Sequence, residues 1–116
     1  MPSQLCAPGL MPMVQAELFF GRNVPARAPV SEEEWQRFLD EEVSPRFPEG
    51  FSVANLLGQY RNSTGMIVRE GSKELLIVLP GSLSDRTKLN AIRDAYKRRF
   101  NQESVLLAES PICAAF

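Results

Sequence analysis

Residues 13–22 alternate: Val14, Ala16, Leu18 and Phe20 stand between Met13, Gln15, Glu17 and Phe19. A period of two predicts a strand. Gly21 closes it, and the prolines up to Pro29 mark a loop. The period then lengthens. Trp35, Phe38, Leu39 and Val43 recur at helical spacing behind Ser31, a natural N-cap, with Glu34 completing a capping box and Val30 placed to staple onto Trp35. Glu32, Glu33 and Glu34 fill the first turn, where the helix dipole favours acids. Pro45 stops this helix at or before Ser44.

After a stiff turn over residues 44–50, residues 51–61 read as a second, less regular strand, with Gly58 suggesting a bulge. Asn62-Ser63-Thr64-Gly65 reads as a hairpin turn, and residues 66–79 as a long third strand kinked near Gly71. Its run from Leu75 to Leu79 is apolar on both faces, as a central strand should be. Pro80-Gly81 breaks it. The second helix starts at Ser82 or Ser84 and carries Leu89, Ile92, Tyr96 and Phe100 on one face, with Ala95 beside them. Lys97, Arg98 and Arg99 suit its last turn, and Asn101 its C-terminal cap. Residues 104–108 open a fourth strand, which Pro111 interrupts and residues 112–116 extend. Residues 1–12, with three prolines and a glycine, read as an irregular N-terminal arm before a single α+β domain over residues 13–116.

Strand, helix, strand, strand, helix, strand is the order of a ferredoxin-like βαββαβ sandwich, a four-stranded antiparallel sheet with two helices on one face. Right-handed crossovers put the first and third strands in the centre and the second and fourth at the edges. The fourth strand then runs antiparallel beside the first, which brings the start of one to the end of the other. Cys6 precedes the first and Cys113 ends the fourth, so a Cys6–Cys113 disulfide is expected under oxidising conditions.

Composition narrows the function more than it defines it. The 116 residues suffice for one core without a metal. A net charge of -1 argues against nucleic acid as a partner. The absence of histidine removes the commonest metal ligand and general base, and neither metal nor cofactor is expected. No apolar run is long enough to span a bilayer. The N-terminus does not read as a signal peptide, which leaves a cytoplasmic protein or an exported one that has lost its leader.

Several phrases in fixed order carry a family resemblance: Leu18-Phe19-Phe20-Gly21, Val30-Ser31 through Trp35 to Phe38-Leu39, Pro45-Arg46-Phe47-Pro48-Glu49-Gly50-Phe51, Gly58-Gln59-Tyr60-Arg61, Arg69-Glu70-Gly71-Ser72-Lys73, and Phe100-Asn101-Gln102-Glu103-Ser104-Val105, with Cys113 near Phe116. From residue 14 to residue 116 the chain resembles the bacterial family DUF3574, a domain of unknown function. Tyr60 stands where members more usually have Trp. The resemblance implies an oxidising compartment through the export signals that members often carry, and it implies no reaction.

Polar chemistry gathers on the second and third strands and the turn before the fourth. Gln59, Arg61, Arg69, Glu70, Lys73 and Glu103 are the candidate ligand-binding residues, against a structural reading as a salt-bridge ladder that fixes register. As a site, Arg61 and Arg69 would clamp a small anionic ligand with Glu70 as acid or base. A non-catalytic small-ligand or protein-binding domain is the leading expectation. It would be a homo-oligomer through the sheet face that the helices leave open, where Phe19, Leu76 and Val78 fall. The rival is a small cofactor-free enzyme of the dimeric α+β barrel type using Glu70 with Arg61 or Arg69.

Overall fold

The computed structural model describes residues 5–116. Its elements are β1 (Met11–Gly21), α1 (Glu32–Phe38), β2 (Ser52–Arg61), β3 (Ile67–Leu79), α2 (Leu83–Arg99) and β4 (Leu106–Ala114). The strands form one sheet in the order β2-β3-β1-β4, every neighbouring pair antiparallel. This is the ferredoxin-like α+β arrangement expected from the element order, with β1 and β3 central.

Local chemistry sets the helix boundaries. Ser31 accepts from the Glu34 N–H at 3.0 Å, and the Glu34 carboxylate accepts from the Ser31 N–H at 3.0 Å. The Arg27 guanidinium first, and these capping bonds after it, hold the Glu34 carboxyl down at about 2. The last turn before Pro45 widens into a π turn over Leu39–Val43, closed by the Ser44 N–H on the Leu39 carbonyl at 2.8 Å. Ser82 and Asp85 form a second capping box at the start of α2. At its end Asn101 takes a left-handed conformation, φ 51°, as a helix-terminating Asn can.

Three expectations need correction. Gly58 makes no bulge, because β2 and β3 pair without interruption from Ser52↔Leu76 to Arg61↔Ile67. Pro111 does not break β4, which pairs continuously with β1 from Leu106 to Ala114. β4 is an edge strand, where a proline can sit with its missing N–H on the unpaired side. Strand β1 begins at Met11 rather than Met13, since Met11 and Pro12 still have partners in Ala114 and Cys113.

The core lies between the sheet and the helices. Ala16, Leu18 and Phe20 of β1 and Leu75, Ile77 and Leu79 of β3 are buried there, as the alternation dictates. Phe20 is the hub, with Trp35, Phe38 and Tyr96 ring centroids at 5.1, 5.8 and 4.8 Å, mostly tilted or edge-on. The Tyr96 hydroxyl donates to the Gly21 carbonyl at 2.7 Å, so even this buried phenol is satisfied. Cys6 and Cys113 are joined by a disulfide with Cα atoms 5.6 Å apart, tying the N-terminal arm to the end of β4.

Candidate functional site

The alternate residues of each strand point away from the helices. On that uncovered face lie Phe19 and Gly21 of β1, Leu56, Gly58 and Tyr60 of β2, Val68, Glu70 and Ser72 of β3, and Leu106 of β4. All of them line a single open groove of about 1020 Å³, walled by the β1–α1 loop at Asn23, Val24 and Pro25 and by residues 101–104. Its floor is apolar and its rim polar, the usual make-up of a small-molecule site.

Glu70 is the carboxylate held in place on the groove floor. One carboxylate oxygen accepts from the Asn23 N–H at 2.9 Å. The carboxylate lies directly over Gly21, where a Cβ would stand only 2.7 Å from Oε1. Glycine is therefore required at the end of β1 if Glu70 is to keep this position. The loop carrying Glu103 is held from the same side: the Gln102 amide donates to the Asn23 carbonyl at 2.7 Å and to the Phe100 carbonyl at 3.0 Å.

Tyr60 ends the polar rim of β2 and is 48% exposed. Its hydroxyl is raised above the ordinary phenol value, first by partial desolvation and then by the negative charges of Glu70 and Glu103. Both carboxylates thus act on the same aromatic side chain. Beneath the groove, burial raises the Tyr96 hydroxyl more strongly, with Glu70 contributing again.

Of the residues singled out from sequence, Glu70 and Glu103 line the groove, and Gln59 and Arg61 border it from β2 positions whose side chains alternate to the other face. Arg69 does not. It pairs with Gln59 on the other face of the β2–β3 hairpin, and its Nε donates to the Gln59 side chain at 2.9 Å. Lys73 lies farther off, on the helix-covered face and only 2% exposed. Its ammonium donates to both Glu32 oxygens at 2.7 and 2.8 Å and to the Asn55 side chain at 2.5 Å. It also stands 6.0 Å from the Trp35 ring centre. The Lys73 contact, helped by Arg22 at 3.2 Å, holds the Glu32 carboxyl below its usual value. Lys73 is thus a buried charge kept by its partners.

The sequence pattern marks Gly21 as a strand terminator, Asn23 as the start of a loop and Tyr60 as a departure from the family pattern, none of them as a group of the site. The available signal was a glycine where a strand enters a polar loop, which often marks a close approach by another group.

Elsewhere on the uncovered face, Glu74 and Glu17 share a hydrogen bond. That bond, burial and mutual repulsion raise the Glu74 carboxyl. Among the described residues no cluster of His, Cys, Asp or Glu could hold a metal ion, and no helix is long and apolar enough to cross a membrane.

The fold and groove define a ferredoxin-like α+β domain with its open sheet face as the recessed surface. Residues 15–116 match the family described as protein of unknown function (DUF3574), and the chain belongs to that family. No functionally curated protein matches it in sequence. Among solved structures it is similar to a phage SAM lyase in complex with S-methyl-5′-thioadenosine, with a TM-score of 0.66 and 18% identity over 100% of this chain and 97% of that one. A phage SAM lyase in its apo state gives 0.63 and 23%, over 97% and 95%. CutA from Synechococcus elongatus PCC7942 gives 0.60 and 15%, over 93% and 87%. At these identities the likeness is one of fold.

Proposed function

We propose that this protein is a small-ligand-binding domain whose site is the groove on the uncovered sheet face. The observation that carries this reading is the convergence of Glu70, Tyr60 and Glu103 over an apolar floor of Phe19, Leu56, Val68 and Leu106, with Gln59 and Arg61 bordering the groove along β2. Sheet faces left bare by helices are normally polar or covered by a partner; this one is concave, half apolar and rimmed with fixed polar groups. A neighbour of the same fold is described in complex with S-methyl-5′-thioadenosine, which supports a small organic molecule as the kind of occupant. A cofactor-free enzyme built on Glu70 and Arg61 would use the same groove, but Arg69 is engaged with Gln59 and the groove is open to solvent. The expectation of self-association through this face rests on half-buried Leu76 and Val78, and light scattering at two concentrations tests it separately.

The test is amide chemical-shift mapping of the ¹⁵N-labelled, disulfide-intact protein with S-methyl-5′-thioadenosine and a panel of nucleosides, amines and organic acids. The expected result is saturable shifts at Phe19, Gly21, Asn23, Tyr60, Glu70 and residues 101–104 for at least one probe. Shifts confined to the helices, or no saturable shift with any probe, would remove the groove as the site.

A further inference from the structure

We infer that the occupant of the groove is an organic cation, a methylated ammonium or sulfonium group seated on the Tyr60 ring between Glu70 and Glu103. This rests on the groove reading above and adds the charge of its ligand. Two carboxylates and one guanidinium line the groove among the described residues, so its balance is negative. The geometry of the arginines removes the expected anion clamp. Arg69 lies on the other hairpin face, bonded to Gln59, and Arg61 shares that strand parity at the exposed end of β2.

The aromatic group decides between a cation and a merely polar ligand. Tyr60 is half exposed beside Val68 and Gly58 on the uncovered face, and it lines one groove with Glu70 and Glu103, whose charges act on its hydroxyl. The face of an aromatic ring attracts a cation through its quadrupole, most strongly where water is partly excluded. Carboxylates around such a ring add Coulomb attraction and disfavour an anion at the same place. The floor of Phe19, Leu56, Val68 and Leu106 suits methyl or methylene groups rather than a bare, strongly hydrated ion. Glu70 is also preorganised: the Asn23 N–H holds one oxygen and Gly21 leaves room for the other, so little is lost in ordering it when a ligand arrives.

The test uses three probes of one shape and different charge: choline, 3,3-dimethyl-1-butanol and 3,3-dimethylbutyrate. Each is titrated into the intact ¹⁵N-labelled protein at fixed ionic strength, with trimethylsulfonium as a fourth probe to separate sulfonium from ammonium sources. Choline or trimethylsulfonium should shift the groove amides with an affinity about tenfold above the neutral alcohol, and the butyrate should be weakest. Tyr60→Leu and Glu70→Gln should each remove most of that preference while leaving the circular dichroism spectrum unchanged. Equal affinity for choline and the alcohol at groove amides would overturn the charge assignment and leave the groove as a ligand site. Tightest binding by the butyrate would overturn it in favour of an anion held by Arg61. Shifts lying only outside the groove for every probe would remove the inference and the reading beneath it together.

Discussion

The two faces of one sheet have been given different work. On the helix-covered face Ala16, Leu18, Phe20, Leu75 and Ile77 are sealed, and the buried charge there, Lys73, is held by Glu32 and Asn55. On the uncovered face the alternate residues of the same strands are half-buried, carboxylates sit among apolar side chains, and an open groove runs along the β2–β3 hairpin. Adjacent residues of a strand therefore report opposite roles, since successive side chains point to opposite faces. Stability should reside on one face and recognition on the other.

The largest expected effect comes from the pair Phe20 and Phe19, neighbours on β1. Phe20→Ala removes the hub of the aromatic cluster and should cost about 3–5 kcal/mol in urea unfolding. Phe19→Ala, on the uncovered face, should cost about 1 kcal/mol or less, because the side chain is only half-buried. Equal losses would erase the distinction between the faces.

Next is the ion pair between buried Lys73 and exposed Glu32. Glu32→Gln deprives a nearly inaccessible ammonium of its counter-charge and should lower the melting temperature clearly. Adding Lys73→Met should restore part of the loss, because an apolar side chain suits that position better than an unpaired charge. A double variant less stable than Glu32→Gln alone would show that Lys73 contributes something other than pairing.

A smaller effect is expected at Tyr96. Tyr96→Phe keeps the ring in the core but leaves the Gly21 carbonyl without its 2.7 Å donor. About 1 kcal/mol of stability should be lost, read from denaturant midpoints.

The smallest concerns pH. The Glu74 carboxyl is raised in the folded protein by its bond to Glu17, so protonation favours the fold. That contribution is present below the unfolded carboxyl value and is lost as pH rises through the raised one. Glu74→Gln should therefore flatten the stability profile as pH rises above the ordinary carboxyl range, with the gain over the parent at the higher pH. A steeper profile would mean that the two carboxyls do not share a proton.

The fold was largely legible because its signals are local and repeated. The Ser31–Glu34 capping box, the period-two pattern of β1 and the apolar run of β3 each bind a segment to one element, and the element order then restricts the topology. Cys6–Cys113 followed from that topology alone. The misreadings at Gly58 and Pro111 came from residues whose effect depends on whether the strand lies at an edge, which sequence spacing does not state. The site was legible only in part. Gln59, Arg61, Glu70 and Glu103 were visible as polar residues in a strand-rich region. The separation of Arg69 and Lys73 from them was not, because it turns on strand parity in the hairpin and on Glu32, 41 positions from Lys73 in sequence. Gly21 makes room for Glu70 across a strand pair, a contact no local pattern announces.

The central claim is that the uncovered face binds and the covered face holds the fold. Hydrogen–deuterium exchange of the unreduced protein, with and without saturating choline, tests it most directly. The account predicts added protection in β2, in the Ile67–Leu79 strand around Glu70, and at residues 101–104, with α1 and α2 unchanged. Protection confined to α1 and α2, with the hairpin and the 101–104 loop unaffected, would contradict it.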